Sequence, residues 1–221
     1  MLQRLVDLLF PPKCYFCRKL LTPDQTDLCH ECRANAPVFT KSKNRYSSVA
    51  RWTAVWYYKG TVRRSLLRYK FYRFASYAPF YGRMLAMKLH TSGMTDFDIL
   101  TWIPVSRLRR IKRGYDQAQL LAEAVASELG AEAVPCLKKV RHNPAQSGLR
   151  GASRRRANVM NAYKVISPET VQGKRILLLD DILTTGATAS ECAKTLLTAG
   201  AKEVYFAAVA LTPKEENHTD M

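Results

Sequence analysis

Acidic side chains are scarce in this chain. Asp and Glu total 18 against 35 Lys and Arg, which leaves a formal net charge of +17 at pH 7. An excess of that size points to a polyanionic partner: nucleic acid first, an acidic membrane surface second, with a generally basic soluble surface as the remaining reading. Long apolar runs are missing too, so no segment reads as a helix spanning a bilayer. Met1 to Phe10 is a short amphipathic stretch that runs into Pro11-Pro12. It has no long apolar centre and no small-residue cleavage site, so it is not read as a signal peptide, and the cytoplasm is the expected location. The chain contains no Gly-x-x-x-x-Gly-Lys-Ser/Thr loop, which argues against its powering a motor itself. His142 has no evident serine or cysteine partner, so no nucleophilic triad is read. Of six cysteines, Cys136 and Cys192 read as small buried hydrophobes.

What is present begins with 221 residues, 47% of them hydrophobic. That is enough for one sizeable core plus a small appended module. The chain is organised around the stretch from Ile176 to Thr188. Ile176 to Leu179 is a four-residue apolar run, the mark of a strand buried on both faces of a parallel sheet. Asp180 and Asp181 follow at its end, then a turn of small and hydroxyl residues from Thr184 to Thr188. A helix comes next, with Ala189, Cys192, Ala193, Leu196 and Leu197 at helical spacing and Gly200 as its stop. Unpaired N–H groups and a partial positive charge at such a helix start hold a phosphate, the threonine hydroxyls add donors, and Gly186 allows close approach. The two carboxylates cannot bind phosphate. They can accept from the two hydroxyls of a ribose, or contact a Mg²⁺ held by a diphosphate. A phosphorylated ribose satisfies both halves of the site.

Cys14-x-x-Cys17 and Cys29-x-x-Cys32, with eleven residues between the pairs, form a second motif. Two thiolates on each of two tight turns complete a tetrahedron round one zinc ion. A disulfide pair is the rival reading, but nothing signals export. His30 lies inside the second pair and is expected to face solvent. Four thiolates and one Zn²⁺ sum to −2, lowering the net charge to about +15 when metal is bound.

In chain order, a zinc module over residues 1–45 is expected to precede a main domain over 46–213 and a polar tail over 214–221, with a polar basic linker from Phe39 to Ser48. Val49 to Tyr58 reads as a strand. Thr61 to Tyr72 reads as a helix with Leu66, Leu67 and Phe71 inward and Arg63, Arg64, Arg68, Lys70 and Arg73 outward, interleaved with Tyr69, Tyr72 and Phe74. Aromatics beside cations suit a single-stranded nucleic acid, and they equally suit a basic helix packed by ordinary core aromatics. Tyr77 to His90 and Tyr115 to Leu129 read as helices, and Ile99 to Pro104 and Glu203 to Leu211 as strands. Arg107, Arg109, Arg110, Lys112 and Arg113 form a basic cluster open to diphosphate, nucleic acid or nothing specific. Lys138 to Asn161 is polar and Arg-rich, with Gln146, Gly148, Arg150, Gly151 and Arg154 to Arg156. Its composition suits a lid that closes on ligand, and equally a solvated basic loop.

Four apolar residues, two acids, two spacers, Thr-Thr-Gly and then Thr resemble the phosphoribosyl-pyrophosphate (PRPP) motif of type I phosphoribosyltransferases. The resemblance implies that Asp180 and Asp181 meet the ribose hydroxyls. It also implies that Thr184, Thr185, Gly186, Ala187 and Thr188 cradle the 5′-phosphate, and that Val105, Ser106 and Arg107 form the diphosphate loop. The zinc module, Arg109-x-x-x-Arg113-Gly114-Tyr115-Asp116-Gln117-Ala118, the Gln146-x-x-Leu149 stretch and the Arg155-x-x-Asn158 stretch together resemble the ComF family. The resemblance runs from Cys14 to Ala210. One departure is Asp116, where the family usually has Asn, so a donor becomes an acceptor. The implied fold is an α/β, type I phosphoribosyltransferase-like parallel sheet flanked by helices, behind an N-terminal zinc ribbon. The implied function is internalisation of single-stranded DNA during natural transformation, with a ComFA-type helicase/ATPase at the inner face of the membrane and a PRPP or ribose-phosphate site. Structural Zn²⁺ and PRPP-associated Mg²⁺ are the implied metals. Arg63, Arg64, Arg68, Tyr69, Lys70, Arg109 and Arg113 are the residues expected on nucleic acid. The alternative is an active phosphoribosyltransferase with an unknown nitrogen acceptor.

Overall fold

The sheet is made of the strands whose sequences are apolar on both faces. In the computed structural model, which describes residues 11–40, 46–141 and 160–213, β1 (Arg51–Tyr57), β2 (Ile99–Trp102), β5 (Arg175–Leu183) and β6 (Glu203–Leu211) pair in the order β1-β6-β5-β2. All three pairings are parallel. Strand side chains alternate between faces, and β5 divides its leucines accordingly. Leu177 and Leu179 join the cluster formed by α3 (Ala78–Thr91) and α5 (Gln117–Leu129), while Ile176 and Leu178 join Cys192, Ala193 and Leu196 of α7 (Ala187–Thr198). A two-stranded antiparallel sheet, β3 (Leu137–Lys139) with β4 (Tyr163–Val165), stands apart from the main sheet. Short helices α1 (His30–Ala34), α4 (Arg107–Arg113) and α6 (Pro168–Val171), the longer α2 (Gly60–Phe71) and a 3₁₀ turn at Ala75–Tyr77 complete the described elements. The lid residues named above other than Lys138 to Arg141, Met160 and Asn161, together with Met1 to Phe10 and the tail from 214, lie outside the described residues.

Three expectations are corrected. β5 continues through Asp180 and Asp181 to Leu183, because Asp180, Ile182 and Leu183 still pair with Ala208, Ala210 and Leu211 of β6. The acids therefore stand in the ladder rather than after it. Arg107, expected in the diphosphate loop, instead opens a helix that runs to Arg113 and is closed by Gly114 at φ 85°. Phe71, expected inward on α2, is 58% exposed; the helix buries Leu66 as expected, together with Val62, Ser65 and Tyr69.

The four cysteine sulfurs lie within 4.8 Å of one another. The Cys17–Cys29 sulfur separation is 3.7 Å, close to the edge of about 3.8 Å that a tetrahedron of Zn–S bonds requires, and far from a disulfide. Burial pushes the Cys14 thiol up, but backbone donors from Cys17, Cys29 and Phe16 outweigh it and bring it down to about 7, whereas burial raises Cys17 and Cys32; a cation among the four sulfurs supplies the charge that lets all of them ionise. His30 Nε2 faces Asp24 Oδ2 at 2.8 Å on the surface, leaving an all-cysteine donor set. These residues fit a structural zinc ion. Between the first pair of cysteines, Phe16 is 0% exposed and packs edge-on against Trp56 and Phe80, while Tyr15 stacks on Phe80 at 4.4 Å. The zinc module thus inserts two rings into the core cluster shared with α3 and β1. Phe39, at the start of the expected linker, is also buried, and its N–H donates to Val55 O.

Two measurements check this architecture. The purified, reduced protein carries about one Zn²⁺ per chain by metal analysis, and Cys32→Ser loses it. Gly82 of α3 touches α5 so closely that a Cβ there would lie 2.5 Å from Ala124 Cβ and 2.9 Å from Ala124 C. Gly82→Ala therefore lowers stability by about 1–3 kcal/mol in a denaturant titration, the usual penalty of overpacking.

Candidate functional site

The C-terminal ends of β2 and β5 open into a cavity of about 700 Å³, the place where parallel sheets bind ligands. Among the described residues its wall carries Arg63, Lys70, Arg73, Arg109, Lys112, Arg113 and Lys139 against two carboxylates, Asp180 and Asp181. The crowding of like charges is visible in the cations themselves. Burial, then the nearby Arg113, lowers the affinity of Arg109 for its proton; burial, then Arg109, does the same for Lys139. An anion entering this cavity relieves that repulsion.

The carboxylate pair is built by three elements. β5 carries both acids, and α2 brings Lys70 Nζ to 2.9 Å from Asp181 Oδ1. Asp181 is 2% exposed, and its second oxygen, Oδ2, is buried without a hydrogen-bond partner. Gln117, the first residue of α5, also lines the cavity and holds its Oε1 buried and without a partner. Two buried acceptors beside one cavity are costly unless donors meet them. Asp180 Oδ1 accepts from the Asp181 N–H at 2.8 Å. Burial and the adjacent Asp181 hold the Asp180 carboxyl well above its ordinary range, and Lys70 opposes them.

The turn after β5 starts α7. Gly186 is its N-cap at φ 76°, a left-handed conformation, and the Tyr46 ring lies so close that a Cβ on Gly186 would fall 2.0 Å from the ring. Only glycine fits there. Thr184, Gly186 and Thr188 line the cavity. Thr185 Oγ1 instead accepts from the N–H of Ala187 at 3.4 Å, and Ala187 is buried. In the β2–α4 connection Val105 lines the cavity, Ser106 is the buried N-cap of α4, and Arg107 points away into solvent, leaving Arg109, Lys112 and Arg113 to face inward. Asp116 explains its own departure from Asn. Oδ1 accepts from the N–H groups of Ala118 and Gln119 to cap α5, and Oδ2 accepts from the Val105 N–H at 3.0 Å. Both oxygens act as acceptors, which only a carboxylate supplies.

The residues expected on nucleic acid divide. Arg63, Lys70, Arg109 and Arg113 line the cavity, with the Arg113 guanidinium 4.9 Å over the Phe71 ring. Arg64 is exposed. Arg68 donates to the carbonyls of Tyr15 and Phe16 in the zinc knuckle. Tyr69 is 0% exposed and donates to Gln117 O at 2.6 Å, so it is a core residue and no base can stack on it. Sequence reasoning passed over Gln117, Lys139 and Tyr163 as cavity residues. Gln117 stood inside a quoted motif, whereas β3 and β4 are too short to announce themselves.

The chain matches the phosphoribosyl transferase domain family over residues 116–221 and the double zinc ribbon domain family over residues 5–43. It is 36% identical over 107 residues to Competence protein F of Haemophilus influenzae, covering 46% of this chain and 45% of that protein. It is 32% identical over 140 residues to the DNA utilization protein YhgH of Escherichia coli O157:H7, covering 61% of this chain and 60% of that protein. It is 26% identical over 203 residues to Competence protein ComFC of Bacillus subtilis, covering 85% and 78%. The chain thus spans about half to three fifths of the first two relatives. A double zinc ribbon that inserts into the core of a phosphoribosyl transferase sheet, together with these relatives, supports a ComF-type protein.

Proposed function

We propose that this chain is a competence or DNA-utilisation protein whose cavity binds a ribose phosphate, PRPP with Mg²⁺ first among them. The observation that carries the ligand reading is the pair of buried acceptors, Asp181 Oδ2 and Gln117 Oε1, left without donors beside a ring of cations. Ribose hydroxyls are donors of the right kind, and phosphates satisfy the cations. The Thr184–Thr188 turn and the start of α7 take the 5′-phosphate. Arg109, Lys112 and Arg113 take the diphosphate. The competence role rests on the relatives, whose names concern competence and DNA utilisation. In it, the chain handles incoming single-stranded DNA beside a ComFA-type helicase. The proposed contact with the inner face of the membrane is through that partner; among the described residues no helix is long and apolar enough to cross a membrane.

A second reading, phosphoribosyl transfer, draws on one feature. Tyr58, Leu67 and Phe71 form an apolar stretch of the same cavity wall that carries the acids, a surface on which a flat nitrogen acceptor rests. Release of diphosphate from PRPP with a panel of acceptors separates the two readings.

Calorimetry tests the pocket. PRPP binds in the presence of Mg²⁺, and Asp180→Asn with Asp181→Asn weakens it by roughly 1.5–3 kcal/mol per lost charged hydrogen bond. No binding at millimolar PRPP rejects the reading. Salt titrations test the DNA role. Each neutralised phosphate on a single strand contributes about −0.7 to the slope of log K against log salt, so Arg109→Ala with Arg113→Ala flattens it by about 1.4. Tyr72, 67% exposed, replaces Tyr69 as the ring for a stacking test. Tyr72→Ala costs about 1–3 kcal/mol without changing the slope. Equal affinity for duplex and single strands rejects stacking.

A further inference from the structure

We propose that the zinc knuckle positions the anion cavity through helix α2, so that metal binding and ribose-phosphate binding are thermodynamically linked. The inference rests on the ligand reading above. On a helix turning about 100° per residue, Arg63, Leu67 and Lys70 form one stripe, and all three line the cavity. Ser65 and Arg68 lie round the other side, and both grip the knuckle. Ser65 Oγ donates to Tyr15 O at 2.6 Å and meets Tyr81 Oη at 2.6 Å; Arg68 Nη2 donates to Tyr15 O at 3.1 Å and to Phe16 O. Tyr15 and Phe16 are the two residues between Cys14 and Cys17, so a metal held by those cysteines fixes the carbonyls that fix α2.

Arg68 has a further reason to depend on the metal centre. Among the described residues no carboxylate pairs with it, and its Nε is buried without a hydrogen-bond partner. A Zn²⁺ on four thiolates carries −2 and stands beside the same knuckle. In the same last turn of α2 the connection reaches the ligand side twice. Lys70 pairs with Asp181, and Tyr69 donates to the carbonyl of Gln117, whose unpartnered Oε1 lines the cavity. Tyr115 Oη in turn donates to Tyr69 O. A shift of α2 therefore displaces a cation and an acceptor of the cavity together. Arg68 is a positioning residue in this scheme, acting through Lys70 and Gln117.

Linkage is reciprocal: if zinc raises anion affinity by some factor, the anion raises zinc affinity by the same factor. The test uses the full zinc-loaded chain with inorganic diphosphate, and with PRPP and Mg²⁺, as probes. The equilibrium partition of zinc between the chain and a chromogenic chelator is measured with and without each probe, with chelator plus probe as the blank because phosphates bind zinc themselves. The expected result is that saturating probe raises the zinc affinity of the chain by about tenfold, and that Arg68→Lys, which keeps the charge and loses the guanidinium fork, removes most of this gain while circular dichroism shows the fold retained. Probe that binds by calorimetry yet leaves the zinc partition unchanged overturns the coupling and leaves the pocket reading standing. A gain that persists fully in both Arg68→Lys and Arg68→Ala overturns the role of Arg68. Failure of both probes to bind the zinc-loaded chain overturns the pocket reading and the coupling with it.

Discussion

Two adjacent carboxylates at the end of a central strand, Asp181 buried and Asp180 half-buried, are the constraint on which the rest of this structure turns. Removing one carboxylate from water without compensation costs several kcal/mol, and removing two side by side adds their repulsion. The fold meets this from outside the sheet. Lys70 reaches Asp181 from α2, and the ring of cations round the cavity sets the local potential. Compensation stops short of neutrality in both directions. The cavity holds more positive charge than its two acids need, and one oxygen of Asp181 is left without a partner. A site stabilised to completion by its own side chains would have nothing to offer a ligand. This one is poised for a molecule bearing hydroxyl donors and several negative charges.

The same constraint explains why α2 is where it is. Its cavity stripe must hold Lys70 within reach of β5, so its opposite side has to be anchored firmly. The anchors are the carbonyls of the zinc knuckle and the buried hydroxyls of Tyr69 and Tyr81. Arginine at position 68 is thus spent on backbone carbonyls rather than on a phosphate. Of the basic residues on this helix, the ones that look alike in sequence do three different things: Arg63 and Lys70 face the ligand, Arg68 ties the helix to the ribbon, and Arg64 faces water.

That division marks the boundary of what the sequence could tell. The β5–turn–α7 stretch was legible because its meaning is local. A strand, two acids, a hydroxyl turn and a helix start are contiguous, and the backbone alone sets their geometry. The cysteine pairs were legible for the same reason. Even there the strand ran on past Leu179, because pairing with Ala208 to Leu211, distant in sequence, decided its length. Lys70, Arg68 and Tyr69 depend on partners far along the chain, and helical spacing says which residues share a side without saying what that side meets. Tyr69 therefore read as a stacking ring and is a core residue, while Phe71 read as core and sits at the cavity under Arg113. Asp116 read as a departure from a pattern. Its reason, a backbone N–H at Val105 that demands a second acceptor, is visible only when the two loops are side by side.

The insertion of Tyr15 and Phe16 into the aromatic cluster of Trp56 and Phe80 bears on how such a protein can change over evolutionary time. Small metal modules are commonly exchanged between proteins as beads on a string, because their surfaces are self-sufficient. Here the module supplies the plug for a socket in its neighbour, and the neighbour without it would present Trp56 and Phe80 to water. Neither half can be swapped for a foreign counterpart unless the plug and the socket change together, so the two have to drift as one inheritance.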